Sequence, residues 1–251
     1  MNYIIITGAS KGLGEAAVEA LLKPNYHLIT VARTKNEQML KEAKEKGTKI
    51  DNIQYDLNNV ESLPSLMDTI FSYVDVKIAQ SIHFINNAGI LQPMKPIEKC
   101  NSEEITKNIN VNLIAPMILV SEFIKKTTDL PIEKRVINIS SGAGKSPIFG
   151  WGCYGASKAG VDLFSQTVGI EENEKSHPVK ITSFAPGIVD TGMQKEIRST
   201  KKEDFAQVDK FIDYKEEGKL LAPSTVAKVI VELLEVVDFP TGKVTSVKEY
   251  L

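Results

Sequence analysis

The sequence predicts a doubly wound α/β fold, one seven-stranded parallel sheet with helices on both faces, and three observations carry that expectation. Short β-branched runs alternate with stretches of helical periodicity from end to end, the alternation that builds parallel sheets covered on both sides. The first apolar run leads directly into a glycine-rich turn, Thr7-Gly8-Ala9-Ser10-Lys11-Gly12-Leu13-Gly14, which in turn opens a helix. No internal repeat, low-complexity tract or Pro/Gly/Ser-rich linker interrupts the 251 residues, which places 1–251 in a single domain.

Strands are expected at about 2–7, 27–32, 50–56, 82–86, 135–140, 179–185 and 243–247. Between them, side-chain oxygens that can cap free backbone N–H groups mark helix starts. Asn58 with Glu61, Asn101 with Glu104, and Ser224 fit, the last followed by Val226, Val229, Ile230, Leu233 and Leu234 at amphipathic spacing. A densely charged insert at about 192–221 carries Phe205, Val208, Phe211 and Ile212 at helical spacing and reads as a helical lid over a site.

Composition narrows the classes of function. With 42% hydrophobic residues the chain can bury a large core, and a formal net charge of -2 gives no basic excess for nucleic acid or an anionic membrane. Cys100 and Cys153 are too few for a disulfide framework or a zinc site and read as free thiols. His27, His83 and His177 lack metal-ligand spacing, so no metal is expected, and they read as ordinary packing or surface residues without an acid partner. The apolar start lacks a cationic lead, and Glu232 and Glu235 interrupt the most hydrophobic late helix. That leaves no run near the ~20 apolar residues of a membrane span. A soluble, cytoplasmic protein is expected.

The turn at Thr7 to Gly14 follows a strand and opens a helix, where free N–H groups and the helix dipole favour a pyrophosphate. Its spacing is Gly-x-x-x-Gly-x-Gly, and Lys11 precedes Gly12 instead of following the last glycine, so it is not a P-loop. In that strand-and-helix context it reads as a Rossmann-type dinucleotide site. An acidic residue at the end of the second strand would bind the ribose 2′-hydroxyl of NAD. This chain offers Arg33 there, and Lys11 in the turn, two cations suited to a 2′-phosphate. The expected cofactor is therefore NADP(H), with Asp56 and Leu57 at the adenine end.

Tyr154 and Lys158 stand at i and i+4 and share one helix face. A phenol with an ordinary pKa of ~10 is expected to be lowered by the neighbouring ammonium, which suits proton exchange with an alkoxide. Ser140 and Ser141 end the fifth strand, at the edge of a parallel sheet where sites form, and a hydroxyl there can stabilise charge on a carbonyl oxygen. Asn86-Asn87-Ala88-Gly89 ends the fourth strand in the same layer.

On the glycine turn, Asn86 to Gly89, Asn112 within Asn110-Val111-Asn112-Leu113, Ser141, Tyr154 with Lys158, and Pro186-Gly187-Ile188-Val189-Asp190-Thr191, the chain resembles the short-chain dehydrogenase/reductase family. The resemblance implies a catalytic set of Asn112, Ser141, Tyr154 and Lys158. In it Tyr154 exchanges the proton, Ser141 polarises the carbonyl, Lys158 holds the nicotinamide ribose, and Asn112 keeps a relay water. Ser141 is chosen over Ser140 because it lies thirteen positions before Tyr154, the family's spacing. The same resemblance implies cofactor contacts from Gly8, Ser10, Lys11, Gly12, Leu13, Gly14, Arg33, Asp56, Leu57, Asn87, Ala88 and Gly89. Tyr154, Lys158, Pro186, Gly187, Val189 and Thr191 complete that set.

It also implies a homodimer or homotetramer, and a pocket walled by Leu91, Pro93, Met94, Ile148, Phe149, Trp151, Met193 and Ile197. Such a wall favours a flat apolar or aromatic carbonyl substrate. Gly150-Trp151-Gly152-Cys153-Tyr154 resembles the branch of sepiapterin reductases and the bacterial members that reduce benzil to (S)-benzoin. The benzil type is the closer, because 242–246 offers no carboxylate to anchor a pterin. A non-catalytic NADP-sensing regulator on the same fold is the rival class, and it is expected to lack members of the catalytic set, all of which are present.

Overall fold

A computed structural model describes residues 1–251. Seven strands, β1 (Asn2–Thr7), β2 (Tyr26–Ala32), β3 (Lys49–Gln54), β4 (Ser81–Asn86), β5 (Glu133–Ile139), β6 (Lys180–Ala185) and β7 (Val244–Ser246), form one sheet in the order β3-β2-β1-β4-β5-β6-β7. Every pairing is parallel. The helices are α1 (Gly12–Ala20), α2 (Glu37–Glu45), α3 (Leu63–Phe71), α4 (Ser102–Ile109), α5 (Ala115–Thr127), α6 (Gly152–Asn173), α7 (Gly192–Arg198), α8 (Val208–Glu216) and α9 (Pro223–Glu235).

Alternation along the strands sorts side chains to two cores. Ile4, Ile6, Leu28, Ile85 and Phe184 pack with Val18 of α1 and Val226 and Ile230 of α9. Ile5, Ile29, Phe84, Val136 and Ile181 point the other way, onto Met67 of α3 and Leu119 and Phe123 of α5. Strand β1 pairs β2 on one side and β4 on the other. The strand order therefore reverses beside β1, and a crevice opens at the carboxyl ends, the place where open α/β sheets bind ligands.

Two of the expected helix starts differ. Asn101 and Glu104 form the full capping box. Asn58 caps nothing: its N–H donates to Asp56 Oδ1 in a tight turn, its own Oδ1 accepts from Asn110, and α3 begins later, with proline in its first turn. Ser224 lies inside α9, whose start is set by Pro223, with φ preorganised for the first turn. The third strand ends before Asp56, and the seventh gives way after Ser246 to a capped 3-10 turn, Val247–Glu249. The charged insert supplies α7 and α8, and at its end Leu221 makes an isolated parallel bridge with Val189.

The histidine reading also needs correction. Because β3 lies beside β2, Asp51 meets His27 at 2.6 Å, a partner that linear sequence does not show. His83 on β4 is buried, its Nδ1 without a partner, and burial, with the Arg135 charge adding to it, brings its pKa down from 6.5 to about 4. The folded state thus takes up this proton later than the unfolded chain as pH falls. The associated stability is complete above about 6.5 and is lost toward about 4. That loss is on the order of 3 kcal/mol. Denaturant titrations across this range are expected to show a shallower pH slope for His83→Gln than for the parent; equal slopes would remove His83 as the cause.

Candidate active site

The site begins with the turn between β1 and α1. Gly8 and Gly12 hold φ of 68 and 62, the left-handed region that side chains other than glycine rarely adopt. The turn is stapled to the end of β4: Asn87 Nδ2 donates to the Thr7 carbonyl at 2.9 Å and to Gly8 at 3.2 Å. The Thr7 hydroxyl accepts from the backbone N–H of Asn87 and of Ala88. Asn36 ties the far side, donating to the Ser10 carbonyl and capping α2. Beneath the crevice a buried polar row runs across the sheet, from Thr7 to Asn86, then Asn138, then Ser165 on α6. It locks the relative height of β1, β4, β5 and α6.

A continuous cavity of about 1470 Å³ opens above these strand ends. At one end it is lined by Gly8, Ser10, Lys11, Gly12, Leu13, Arg33, Asp56 and Leu57. Its middle is formed by Asn87, Ala88, Gly89, Pro186, Gly187, Val189 and Thr191, and its far end by Ser141, Tyr154, Lys158 and the lid. Arg33 and Lys11 are exposed, and neither is held in an ion pair. Eight Lys and Arg side chains line the cavity against one acidic side chain, Asp56, although the chain as a whole is net negative. A local field of that sign suits a polyanionic dinucleotide, and the glycine turn leaves its backbone open to one.

Two residues assigned to the site lie off its wall. Gly14 packs beneath the turn, where a Cβ would stand 2.3 Å from the Gly8 carbonyl oxygen and 2.5 Å from Asn87 Nδ2. Its absent side chain shapes the cradle from below. Asn112 is wholly buried in a π-helical turn, Asn110–Ile114, between α4 and α5. Its amide accepts from the Ile90 N–H at 2.9 Å, and donates to the Ile90 carbonyl at 2.8 Å and to Asn108 at 3.1 Å. In this arrangement it clamps the segment that leaves Gly89.

At the reacting end Ser141 is extended, and its hydroxyl accepts from the Ala143 N–H at 3.2 Å. Ser140 is buried with its hydroxyl unpartnered. Tyr154 sits in the first turns of α6, 6% exposed, its ring edge-on to Trp151 with centroids 5.4 Å apart. Burial pushes its phenol above the ordinary value, and the Ser141 hydroxyl draws it part of the way back. The expected lowering by Lys158 is not found: burial sets the direction, and only the Ser141 hydroxyl opposes it. Lys158 Nζ lies 5.7 Å from the Tyr154 ring centre and donates to the Ile139 carbonyl at 2.8 Å. Burial brings Lys158 itself down to about 8, with Asp162 opposing. The phenol therefore keeps its proton at neutral pH and can deliver it as an acid.

The apolar wall is partly as expected. Leu91, Ile148, Trp151, Met193 and Ile197 line the cavity. Pro93, Met94 and Phe149 do not: Met94 is buried behind the wall with Phe205, and Phe149 is exposed. Phe211, Tyr214, Gln194 and the C-terminal Val247 and Leu251 also face the cavity. Helical spacing had marked Phe211 as a lid residue, whereas nothing local in the sequence points to Gln194, Tyr214 or the C-terminal residues. Trp151 stacks on Phe205 at 5.0 Å and tilts against Phe211 at 5.7 Å, joining the lid to the start of α6.

The sequence pattern described as short chain dehydrogenase matches residues 2–202. Among curated proteins, benzil reductase ((S)-benzoin forming) of Bacillus cereus is 51% identical over 249 residues, covering 99% of this chain and 100% of the relative. Sepiapterin reductase of Rattus norvegicus is 29% identical over 250 residues, covering 95% and 93%. Among solved structures, that of the KRED1-Pglu enzyme superposes with a TM-score of 0.83 at 27% identity, covering 97% of this chain and 100% of the other.

Proposed function

The chain belongs to the short chain dehydrogenase family of oxidoreductases, and from that premise we propose that it is an NADPH-dependent carbonyl reductase acting on benzil-like aromatic diketones. When bound, the dinucleotide would supply the hydride for the carbonyl carbon. Gly8, Ser10, Lys11, Gly12 and Leu13 would hold its pyrophosphate, Lys11 and Arg33 its 2′-phosphate, and Asp56 with Leu57 its adenine. Asn87, Ala88, Gly89, Pro186, Gly187, Val189 and Thr191 would hold the nicotinamide end. Gly14 and Asn112 act from behind, by shaping the phosphate turn and fixing the Ile90 strand.

The observation that carries the reading is the position of Tyr154. Its buried, proton-retaining hydroxyl lies beside Ser141, where the cationic arm of the cavity meets the apolar arm. Tyr154 gives its proton to the carbonyl oxygen as charge develops there, while the Ser141 hydroxyl donates a second hydrogen bond to the same atom. Lys158, whose pKa of about 8 lets it exchange protons near neutrality, resupplies Tyr154. Trp151, Phe211, Leu91 and Ile148 offer a flat aromatic substrate its apolar surface. The set is complete, which favours catalysis over a purely sensing role. Exposed Met117 on α5 and Leu163 and Ile170 on α6 give a homodimer or homotetramer an apolar contact face.

The test is turnover of a panel of diketones, quinones and pterins with NADPH and with NADH, followed by nicotinamide absorbance and chiral analysis of product. Benzil is expected to give (S)-benzoin, with kcat/KM for NADPH about 10- to 100-fold above that for NADH, as charge-assisted contacts to one phosphate allow. Equal rates with the two nucleotides would remove the role given to Arg33 and Lys11. Preference for a pterin over every diketone would replace the substrate class.

A further inference from the structure

Trp151 is the only tryptophan of the chain, and its indole nitrogen is a donor without an acceptor. Three residues that line the cavity carry a buried side-chain polar atom with no partner: Ser140, Trp151 and Gln194. The Ser140 hydroxyl can donate or accept and the Gln194 oxygen accepts, whereas an indole N–H can only donate. Buried polar groups are nearly always paired, so a donor left open in the wall of a site points to an acceptor that arrives with a ligand. Nothing in the fold supplies one. The indole is buried, stacked on Phe205 at 5.0 Å, tilted against Phe211 at 5.7 Å, and packed in a cluster of apolar side chains. Its ring centre lies 5.4 Å from that of Tyr154, with the planes at 73°. Trp151 thus brings an open donor to the wall beside the acid.

We propose that Trp151 is a specificity-determining residue whose indole N–H donates to the second oxygen of a vicinal dicarbonyl substrate, while Tyr154 and Ser141 hold the first. The inference rests on the carbonyl reductase reading of this site and narrows its substrate. The two oxygens of such a compound sit on neighbouring carbons. A molecule whose reacting carbonyl is at Tyr154 therefore carries its other oxygen no further than the adjoining side chains of the wall, and Trp151 is an adjoining donor. Phe211, Leu91 and Ile148 meet the flanking groups of the substrate through carbon alone.

Holding both oxygens separates a diketone from a monoketone of the same shape, because the monoketone leaves the indole N–H buried and unpaired. It also fixes orientation. A substrate held at one oxygen can present either face of its carbonyl to hydride by turning about that point, whereas one held at two oxygens presents a single face. One enantiomer of the hydroxyketone is then favoured.

The experiment compares benzil with deoxybenzoin, its analogue in which one carbonyl is a methylene, as substrates of the parent and of Trp151→Phe with NADPH. The intrinsic reactivity of each ketone cancels when the benzil-to-deoxybenzoin ratio of kcat/KM is compared between the two proteins. That ratio is expected to fall by about 10- to 100-fold in the variant, with a lower enantiomeric excess of benzoin. An unchanged ratio, both substrates losing rate together, would show a packing role and overturn the inference. A fallen ratio with an unchanged excess would support the contact and overturn its part in choosing the face. Because the tryptophan is unique, its indole N–H gives one magnetic-resonance signal in isotope-labelled protein, a second measurement should the variant fold poorly. Benzil added to the parent saturated with NADP+ is expected to move that proton downfield, and deoxybenzoin to leave it near its starting position. Equal shifts with the two ketones, or none with benzil, would overturn the contact. Should the parent turn over no carbonyl compound, the proposed function fails on its own account, and the indole signal alone decides the contact.

Discussion

Tyr154→Phe is expected to lower kcat for benzil by roughly 10²- to 10⁴-fold, the range for loss of a positioned acid, while the dissociation constant for NADPH changes little. The substitution removes one oxygen and leaves the ring. The edge-on contact with Trp151 and the approach of Lys158 to the ring face are both made by carbon atoms and survive. A large loss would therefore belong to the proton of the hydroxyl, not to collapsed packing. Paired measurements of kcat and of NADPH binding by fluorescence separate the two. Turnover within threefold of the parent would mean that another group, or solvent, delivers the proton.

The second large effect is at Gly14. An alanine there puts a methyl group 2.3 Å from the Gly8 carbonyl oxygen and 2.5 Å from Asn87 Nδ2, and the nearer atom belongs to backbone that has no rotamer to yield. Either the turn lifts or α1 slides along β1. Overpacking of this kind costs about 1–3 kcal/mol. If the turn absorbs it, NADPH binding weakens by roughly 10- to 100-fold, because the N–H groups of the cradle no longer converge. Isothermal titration of Gly14→Ala with NADPH, beside its denaturant midpoint, distinguishes a lifted turn from global loss of stability. Affinity and midpoint both unchanged would show that the close packing described here is wrong.

Much of this molecule could be read from its sequence because its signals are local. Strand alternation, the Thr7–Gly14 turn and the i, i+4 pair of Tyr154 and Lys158 each sit within a single element, and all seven strands fall within a few residues of their expected places. Where reading failed, the missing information was a contact between distant segments. Asp51 reaches His27 only because β3 pairs β2. The amide of Asn112 is taken up by Ile90 from another element, and no spacing rule predicts that. The direction of the tyrosine shift is the same kind of failure: the cation at i+4 is visible in the sequence, but the depth of burial that raises the phenol is not. The wall of the pocket was half legible. Apolar residues near the lid are easy to name, yet whether Met94 faces the cavity or the core behind it depends on how the lid folds back.

The aromatic stack of Trp151, Phe205 and Phe211 has a bearing on how such an enzyme can diversify. On the proposed function, the surface that would sort one carbonyl compound from another is continuous with the packing that seats the helix of Tyr154. Carving room at Phe211 or Trp151 for a bulkier guest loosens the seat of Tyr154 as well. On the proposed function, breadth of substrate and speed of reaction are exchanged against each other, and Leu91, Ile148 and Met193, which line the cavity and pack in the same cluster, share in that exchange.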